Sequence, residues 1–223
     1  MSRQGSRVLE SFFDLDRACR EVFLFTGADA AELEQFLVAS GDADHLLRVA
    51  HISWMIAKTA DLDDPDRVWL CGLLHDIGKV AVSDSVVAKP CALTHDEKIL
   101  MRKHVEAGCA IVAELIDDTS PELRRVVIDG IRCHHERWDG SGYPNGLAGS
   151  SIPIVARIVA VADVLDAVTS ERVYKPAYGI EAGFAAVEEG FGSLFDPELE
   201  GVLAAVRQEI VEFYGDKTDP DRV

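Results

Sequence analysis

The amino-acid sequence predicts an all-α fold, a helical bundle preceded by a short helical extension. Apolar residues recur at helical spacing along most of the chain, and capping or proline signals precede many of these stretches. The stretches rich in valine and isoleucine keep the same helical spacing, so we predict no β-strand. The chain has 223 residues, of which 48% are hydrophobic and 27% are charged, as in a globular protein with one sizeable domain.

Capping pairs, prolines and glycines mark the ends of the predicted helices. Asp29 with Glu32 and Thr94 with Glu97 form predicted capping boxes, and Asp64-Pro65 is predicted to be an N-cap followed by the first helical residue. In chain order, the predicted helices cover residues 7–26, about 30–41, 44–60, 66–75, 95–118, 121–135, 153–170, 180–190 and 197–214.

The residues that could carry chemistry begin only after the second predicted helix. We therefore divide the chain into a helical N-terminal extension, residues 1–41, a main helical domain, residues 42–214, and a charged tail, residues 215–223. Whether the extension is a separate module or packs on the main domain stays open.

Charge and cysteine usage limit the function classes. The formal net charge is −17, which argues against binding to a nucleic-acid polymer or to an anionic membrane. The five cysteines form no CxxC pair, which indicates reduced thiols in a cytosolic protein. The N-terminus has no signal-peptide core, and no apolar run approaches the ~18 residues of a membrane span. We therefore expect a soluble cytoplasmic protein.

Two short motifs point to metal binding. His134-His135 runs into a glycine-rich loop, and His75-Asp76 lies at the predicted end of an apolar helix. An isolated histidine pair is more often a surface feature, but a carboxylate beside an imidazole can offer one oxygen to each of two metal ions. Imidazole and carboxylate donors suit iron, manganese, nickel or cobalt, and they exclude no divalent metal outright. The candidate ligands are His45, His75, Asp76, His104, His134, His135 and Asp163.

An ordered set of motifs covers about residues 42–205. The motifs are His45-x-x-Arg48-Val49, Leu74-His75-Asp76-Ile77-Gly78-Lys79, Lys89-Pro90, Leu93-Thr94, His104 with Gly108, His134-His135-Glu136-Arg137-Trp138-Asp139-Gly140-Ser141-Gly142-Tyr143-Pro144, Asn145-Gly146-Leu147, Ile152-Pro153, Ala156-Arg157-Ile158, Ala162-Asp163, Asp166-Ala167, Arg172-x-Tyr174-Lys175 and Phe195-Asp196-Pro197-Glu198. In order and spacing this set resembles the HD-GYP domains, a subset of the HD phosphohydrolase superfamily.

This resemblance implies an HD-type helical bundle with cyclic di-GMP phosphodiesterase activity. It implies that Asp76 bridges two divalent ions, with iron or manganese expected, and that a metal-activated hydroxide attacks phosphorus. Lys79 would face the scissile phosphate. Arg172 and Lys175 match positions that meet the ligand's phosphates. Tyr143 lies in the loop beside the pocket and is predicted to bind substrate; the alternative is that its ring packs on the bundle and the loop shapes the rim or an interaction surface.

One departure from the family pattern concerns the number of metal ions. Family members proposed to hold a third ion have a glutamate four residues before the first histidine, where this chain has Gly41. We therefore predict a two-metal site and pGpG, rather than GMP, as the main product. The alternatives are an HD phosphohydrolase for another cyclic dinucleotide and a non-catalytic cyclic di-GMP receptor or adaptor. A homodimer and a signalling-protein partner both stay open.

Overall fold

Helices that bury one apolar face build the part of the chain that the structure describes. The structure is a computed structural model, and it describes residues 30–39, 42–116, 121–170 and 179–215. Its α-helices are α1 (Ala30–Ala39), α2 (Ala43–Thr59), α3 (Pro65–Leu74), α4 (Asp84–Val87), α5 (His95–Leu115), α6 (Pro121–Cys133), α7 (Ile154–Thr169), α8 (Ile180–Gly190) and α9 (Leu199–Gly215). Two 3₁₀ helices cover Ile77–Ala81 and Gly149–Ser151.

Helix α2 is the central element of the bundle. It packs against α3, α7 and α9, while α6 packs against α3, α5 and α7. A stretch of α2 from His45 to Ala57 is buried apart from Arg48. The all-α prediction is confirmed: among the described residues, the β-pairing is limited to an isolated bridge between Phe191 and Phe195.

Side chains at the helix starts behave as the sequence predicts. The Thr94 backbone N–H donates to the Glu97 carboxylate at 2.7 Å, and the Glu97 N–H donates back to the Thr94 hydroxyl at 3.3 Å, which completes a capping box. Asp64 caps α3 by accepting from the Arg67 N–H at 3.3 Å, with Pro65 at the first helical position.

The structure also differs from the prediction at several boundaries. Helices α5 and α6 end at Leu115 and Cys133, earlier than predicted, and α9 begins at Leu199 rather than at residue 197. The sequence pattern missed the 3₁₀ helix Ile77–Ala81 and the short α4, because such short elements show little periodicity. The predicted helix 7–26, Gly41, and residues 171–178 and 216–223 lie outside the described residues.

The described elements include no helix that is long and apolar enough to cross a membrane. The described cysteines have free thiols: Cys71, Cys109 and Cys133 are buried, and Cys91 is exposed.

A close contact between Gly78 and α5 sets the position of the segment after α3. A Cβ atom placed on Gly78 would lie 2.0 Å from the His104 carbonyl oxygen and 2.3 Å from the Gly108 nitrogen. Both are backbone atoms, so the 3₁₀ helix that follows Asp76 reaches α5 only because residue 78 has no side chain.

We expect Gly78→Ala to lower the free energy of unfolding by about 3 kcal/mol or more, because the added methyl group displaces backbone. Urea denaturation followed by far-ultraviolet circular dichroism measures the change. The matched control is Gly201→Ala in α9, where nothing lies within 4 Å of the added carbon. That variant should gain about 0.5–1 kcal/mol from helix propensity. Equal stability of the two variants would contradict the close contact.

Candidate metal centre

The structure brings together all the predicted ligands, although they come from widely separated parts of the chain. His45 lies in the first turns of α2, His104 in the middle of α5 and Asp163 in the middle of α7. The two remaining pairs, His75-Asp76 and His134-His135, directly follow the ends of α3 and α6. A helix end places both members of each pair on the same side, whereas adjacent residues within a helix would point about 100° apart.

Asp76 belongs to two groups of donor atoms. One group contains Asp76, His104, His134 and His135, and the other contains His45, His75 and Asp76. Within each group, the donor atoms lie within 4.8 Å of one another. Asp163 adds a carboxylate oxygen 3.3 Å from His45 Nε2 and 3.9 Å from His75 Nε2. The arrangement therefore could hold metal ions on both sides of Asp76.

Backbone carbonyl groups fix the orientation of three of the imidazole rings. The Nδ1 atoms of His75, His104 and His134 each donate a hydrogen bond of 2.7 Å to the carbonyl oxygen three residues earlier, at Gly72, Met101 and Ile131. A carbonyl oxygen can only accept, so Nδ1 carries the proton and Nε2 keeps its lone pair. Each Nε2 faces the centre as a potential ligand.

The residues present fit a metal ion by a direct structural criterion. The Nε2 atoms of His75, His104 and His134 and the Oδ1 atom of Asp76 are buried and have no hydrogen-bond partner among the described residues. Buried polar atoms in folded proteins are almost always satisfied. Atoms that face one another in a single cluster of nitrogen and oxygen donors would be satisfied by coordination to divalent ions.

The protonation states of five of the seven candidate ligands match metal binding. Burial, together with neighbouring imidazoles, lowers the pKa of His104 and His134, and it lowers the pKa of His135 to about 4. Although burial raises the pKa of a carboxyl group, the nearby basic groups hold the pKa of Asp76 and Asp163 well below the usual value. Near neutral pH these groups are therefore neutral imidazoles and charged carboxylates, the forms that bind metals.

His45 is oriented by a carboxylate instead of a backbone carbonyl. Its Nδ1 atom donates to Asp166 Oδ2 at 2.7 Å, so its Nε2 atom points towards Asp163. Burial lowers the pKa of His45, but the two carboxylates outweigh it and raise the pKa to about 9. A carboxylate behind a ligand histidine is a common arrangement in metal sites.

Asp166 is a buried hub that the sequence analysis did not assign to the site. Its carboxylate also accepts hydrogen bonds from Arg48 at 2.5 and 3.1 Å, from the Ser170 hydroxyl at 3.0 Å and from the Tyr214 hydroxyl at 2.5 Å. The available signal was the spacing, since Asp166 lies three residues after Asp163 and on nearly the same face of α7.

Lys79 lies at the edge of the centre. Its ammonium group contacts Asp76 Oδ2, and its side chain is partly exposed. This places a positive charge beside the cluster, and the contact of Lys79 with a phosphate stays a prediction. Arg172 and Lys175, the other predicted phosphate contacts, lie outside the described residues.

The loop after His135 is held close to the centre by backbone contacts. The buried Glu136 carboxylate accepts from the N–H groups of Asn145 at 2.8 Å and Leu147 at 3.1 Å. A Cβ atom on Gly142 would lie 2.4–2.6 Å from backbone atoms of residues 135–137, so only glycine fits there. The Tyr143-Pro144 peptide bond is cis. The Tyr143 ring stacks on His135 at 4.7 Å between centroids. The loop therefore forms part of the rim.

Comparisons with known proteins identify the family of the chain. The HD domain family model matches residues 25–199. The chain is 39% identical over 178 residues to the cyclic di-GMP phosphodiesterase response regulator RpfG of Xanthomonas campestris, covering 78% of this chain and 46% of that protein. It is 37% identical over 163 residues to the 3'3'-cGAMP-specific phosphodiesterase 3 of Vibrio cholerae, covering 72% of this chain and 34% of that protein.

A solved structure described as an HDG"Y"P protein from Bdellovibrio bacteriovorus has the same fold. It matches with a TM-score of 0.58 at 16% identity, and the match covers 94% of this chain and 68% of that one. The chain belongs to the HD domain family, and its resemblance to the HD-GYP proteins is confirmed. It spans less than half the length of the two curated relatives described above.

We expect Asp166→Asn to lower the free energy of unfolding by about 3–5 kcal/mol, because Arg48 loses its buried charged partner. Urea denaturation of the metal-free protein measures the loss. Asp129→Asn is the matched control, since Asp129 pairs with the mostly exposed Arg125 at 3.2 Å and should change stability by at most about 0.5 kcal/mol. A loss for Asp166→Asn as small as that of the control would contradict the role of Asp166 as a hub.

Proposed function

We propose that the chain is a metal-dependent phosphodiesterase that hydrolyses cyclic di-GMP to linear pGpG. The observation that carries this proposal is the position of Asp76, whose carboxylate belongs to two adjacent groups of metal-ligating atoms. Two ions that share a carboxylate are a common arrangement for attack on phosphate esters. The names of the curated relatives support cyclic dinucleotides as the substrate class.

The proposed ligands are the seven residues predicted from the sequence, with Asp76 bridging two divalent ions. Imidazole and carboxylate donors suit iron or manganese. The bound ions would activate a water molecule and neutralise charge on the phosphoryl oxygens. Without a glutamate at position 41, the chain lacks the carboxylate expected for a third ion, which favours pGpG over GMP as the product.

Cationic side chains are proposed to bind the phosphates of the substrate. Lys79, which contacts Asp76, would bind a non-bridging oxygen of the scissile phosphate and stabilise the charge that develops there. Arg172 and Lys175 would bind the substrate's phosphates. These contacts would offset the repulsion between a dianionic substrate and a chain with a net charge of −17.

Two other functions use the same site. The first is hydrolysis of 3'3'-cGAMP, which the similarity to a cGAMP-specific relative favours. The second is a cyclic di-GMP receptor without activity, which the complete set of ligands argues against. The cytoplasmic location and the division at residue 42 stay predictions.

Product analysis tests the proposal. Protein purified without oxygen, with iron or manganese, would be incubated with cyclic di-GMP and, separately, with 3'3'-cGAMP, and the products would be separated by chromatography. We expect pGpG to accumulate and kcat/KM to be higher for cyclic di-GMP. A higher kcat/KM for 3'3'-cGAMP would identify 3'3'-cGAMP as the substrate instead of cyclic di-GMP. Tight binding of cyclic di-GMP without any product would indicate that the protein is a receptor without activity.

We expect Asp76→Ala to abolish both metal retention and turnover, because the atoms that join the two groups of ligands are lost. Elemental analysis of the purified protein measures the metal content. Asp63→Ala, at an exposed position outside the site, is the control and should behave as the wild type. A normal metal content and rate in Asp76→Ala would refute the shared-carboxylate site.

A further inference from the structure

Three side chains form a stack at the rim of the metal centre. The Tyr143 ring lies on His135 with an interplanar angle of 29° and a centroid distance of 4.7 Å. The Arg102 guanidinium carbon lies 4.5 Å from the centroid of the same Tyr143 ring. Tyr143 therefore contacts both Arg102 and His135, and His135 belongs to one of the groups of metal ligands.

This stack limits what the Tyr143 ring can bind. With His135 and the guanidinium group of Arg102 both packed on the ring, Tyr143 is poorly placed to stack on a nucleobase. Its ring instead supports the guanidinium group through a cation–π contact. Arg102 is exposed, so its guanidinium group can meet a ligand at the rim.

Arg102 has no hydrogen bond or ion pair to any residue in the described ranges. Carboxylates are nonetheless abundant in a chain with a net charge of −17. Other arginines do pair with carboxylates: Arg48, Arg67, Arg125, Arg157 and Arg207. A guanidinium group whose face is held by an aromatic ring keeps its N–H edge directed to other partners, a geometry that suits phosphate oxygens.

Arg102 lies beside the metal centre without belonging to it. It is in neither group of metal ligands, and the ring that it contacts, Tyr143, stacks in turn on the ligand residue His135. A phosphate held at the proposed metal ions would already be bound by those ions and by Lys79. A ligand with a second phosphate could extend to Arg102.

We infer that Arg102 is a substrate-binding residue that contacts the phosphate of a cyclic dinucleotide that is not being hydrolysed. This inference rests on the proposed function, and it adds a cation to those predicted from the sequence. Because Arg102 does not touch the reacting atoms, its contribution falls on substrate binding and not on the chemical step.

The test compares Arg102→Ala, Arg102→Lys and the matched control Lys103→Ala, which removes an exposed cation from the neighbouring position of α5. Cyclic di-GMP, 3'3'-cGAMP and bis(p-nitrophenyl) phosphate, a diester with a single phosphate, are the substrates. Loss of a charge-assisted hydrogen bond should raise KM for both dinucleotides about 10-fold or more in Arg102→Ala, with kcat within about twofold. Arg102→Lys should lie between Arg102→Ala and the wild type.

Bis(p-nitrophenyl) phosphate distinguishes loss of a contact to a second phosphate from general damage to the active site. Its hydrolysis by Arg102→Ala should match that of the wild type, and the metal content should be unchanged. An equal loss with this substrate, or an equal loss in Lys103→Ala, would overturn the inference. A loss confined to one of the two dinucleotides would indicate recognition of a base and would overturn the assignment to phosphate.

A binding measurement shows whether the inference about Arg102 or the proposed function fails. The probe is a phosphorothioate analogue of cyclic di-GMP, titrated into metal-loaded protein by calorimetry. If the wild type binds the analogue but hydrolyses neither dinucleotide, the proposed function fails, and a Kd for Arg102→Ala about 10-fold higher still supports the inference. An unchanged Kd would refute it, and absence of binding to the wild type would refute both.

Discussion

Burial of a cluster of ionisable side chains is the constraint on which the rest of the structure depends. His45, His75, Asp76, His104 and His134 are all buried, and such groups destabilise a protein unless their polar atoms find partners. The structure meets this constraint by giving each of these imidazoles a partner on Nδ1. Three partners are backbone carbonyls and the fourth is Asp166. Their Nε2 atoms are thereby directed to one place, so the requirement of stability also orients the proposed ligands.

The ends of two helices bring adjacent residues of the short motifs to the metal centre. His75-Asp76 and His134-His135 each follow the last residue of a helix, and the His134 and His135 rings lie 3.9 Å apart between centroids. The sequence predicts these positions because the apolar periodicity ends before each motif. It also predicts the ligand set and the helical class, since residue type, spacing and motif order all contribute.

Other parts of the site depend on contacts that sequence spacing does not reveal. Asp166 meets Arg48 across 118 positions of the chain, and Arg102 meets Tyr143 only because α5 passes beside the loop. The roles of Glu136 and Gly142 follow from how the loop folds back on residues 135–137. The prediction that Tyr143 binds substrate is not tested, but its packing between His135 and Arg102 favours a supporting role. Its position at the rim follows from the loop, whereas its function depends on a neighbour in another helix.

The central claim is that Asp76 is shared by two metal ions. Anomalous diffraction at the metal absorption edge, from crystals of protein purified without oxygen, tests it most directly. We expect two peaks, one near His75 and the other near His104, His134 and His135, with Asp76 bound to both. A single peak, or peaks to which Asp76 is not bound, would contradict the claim.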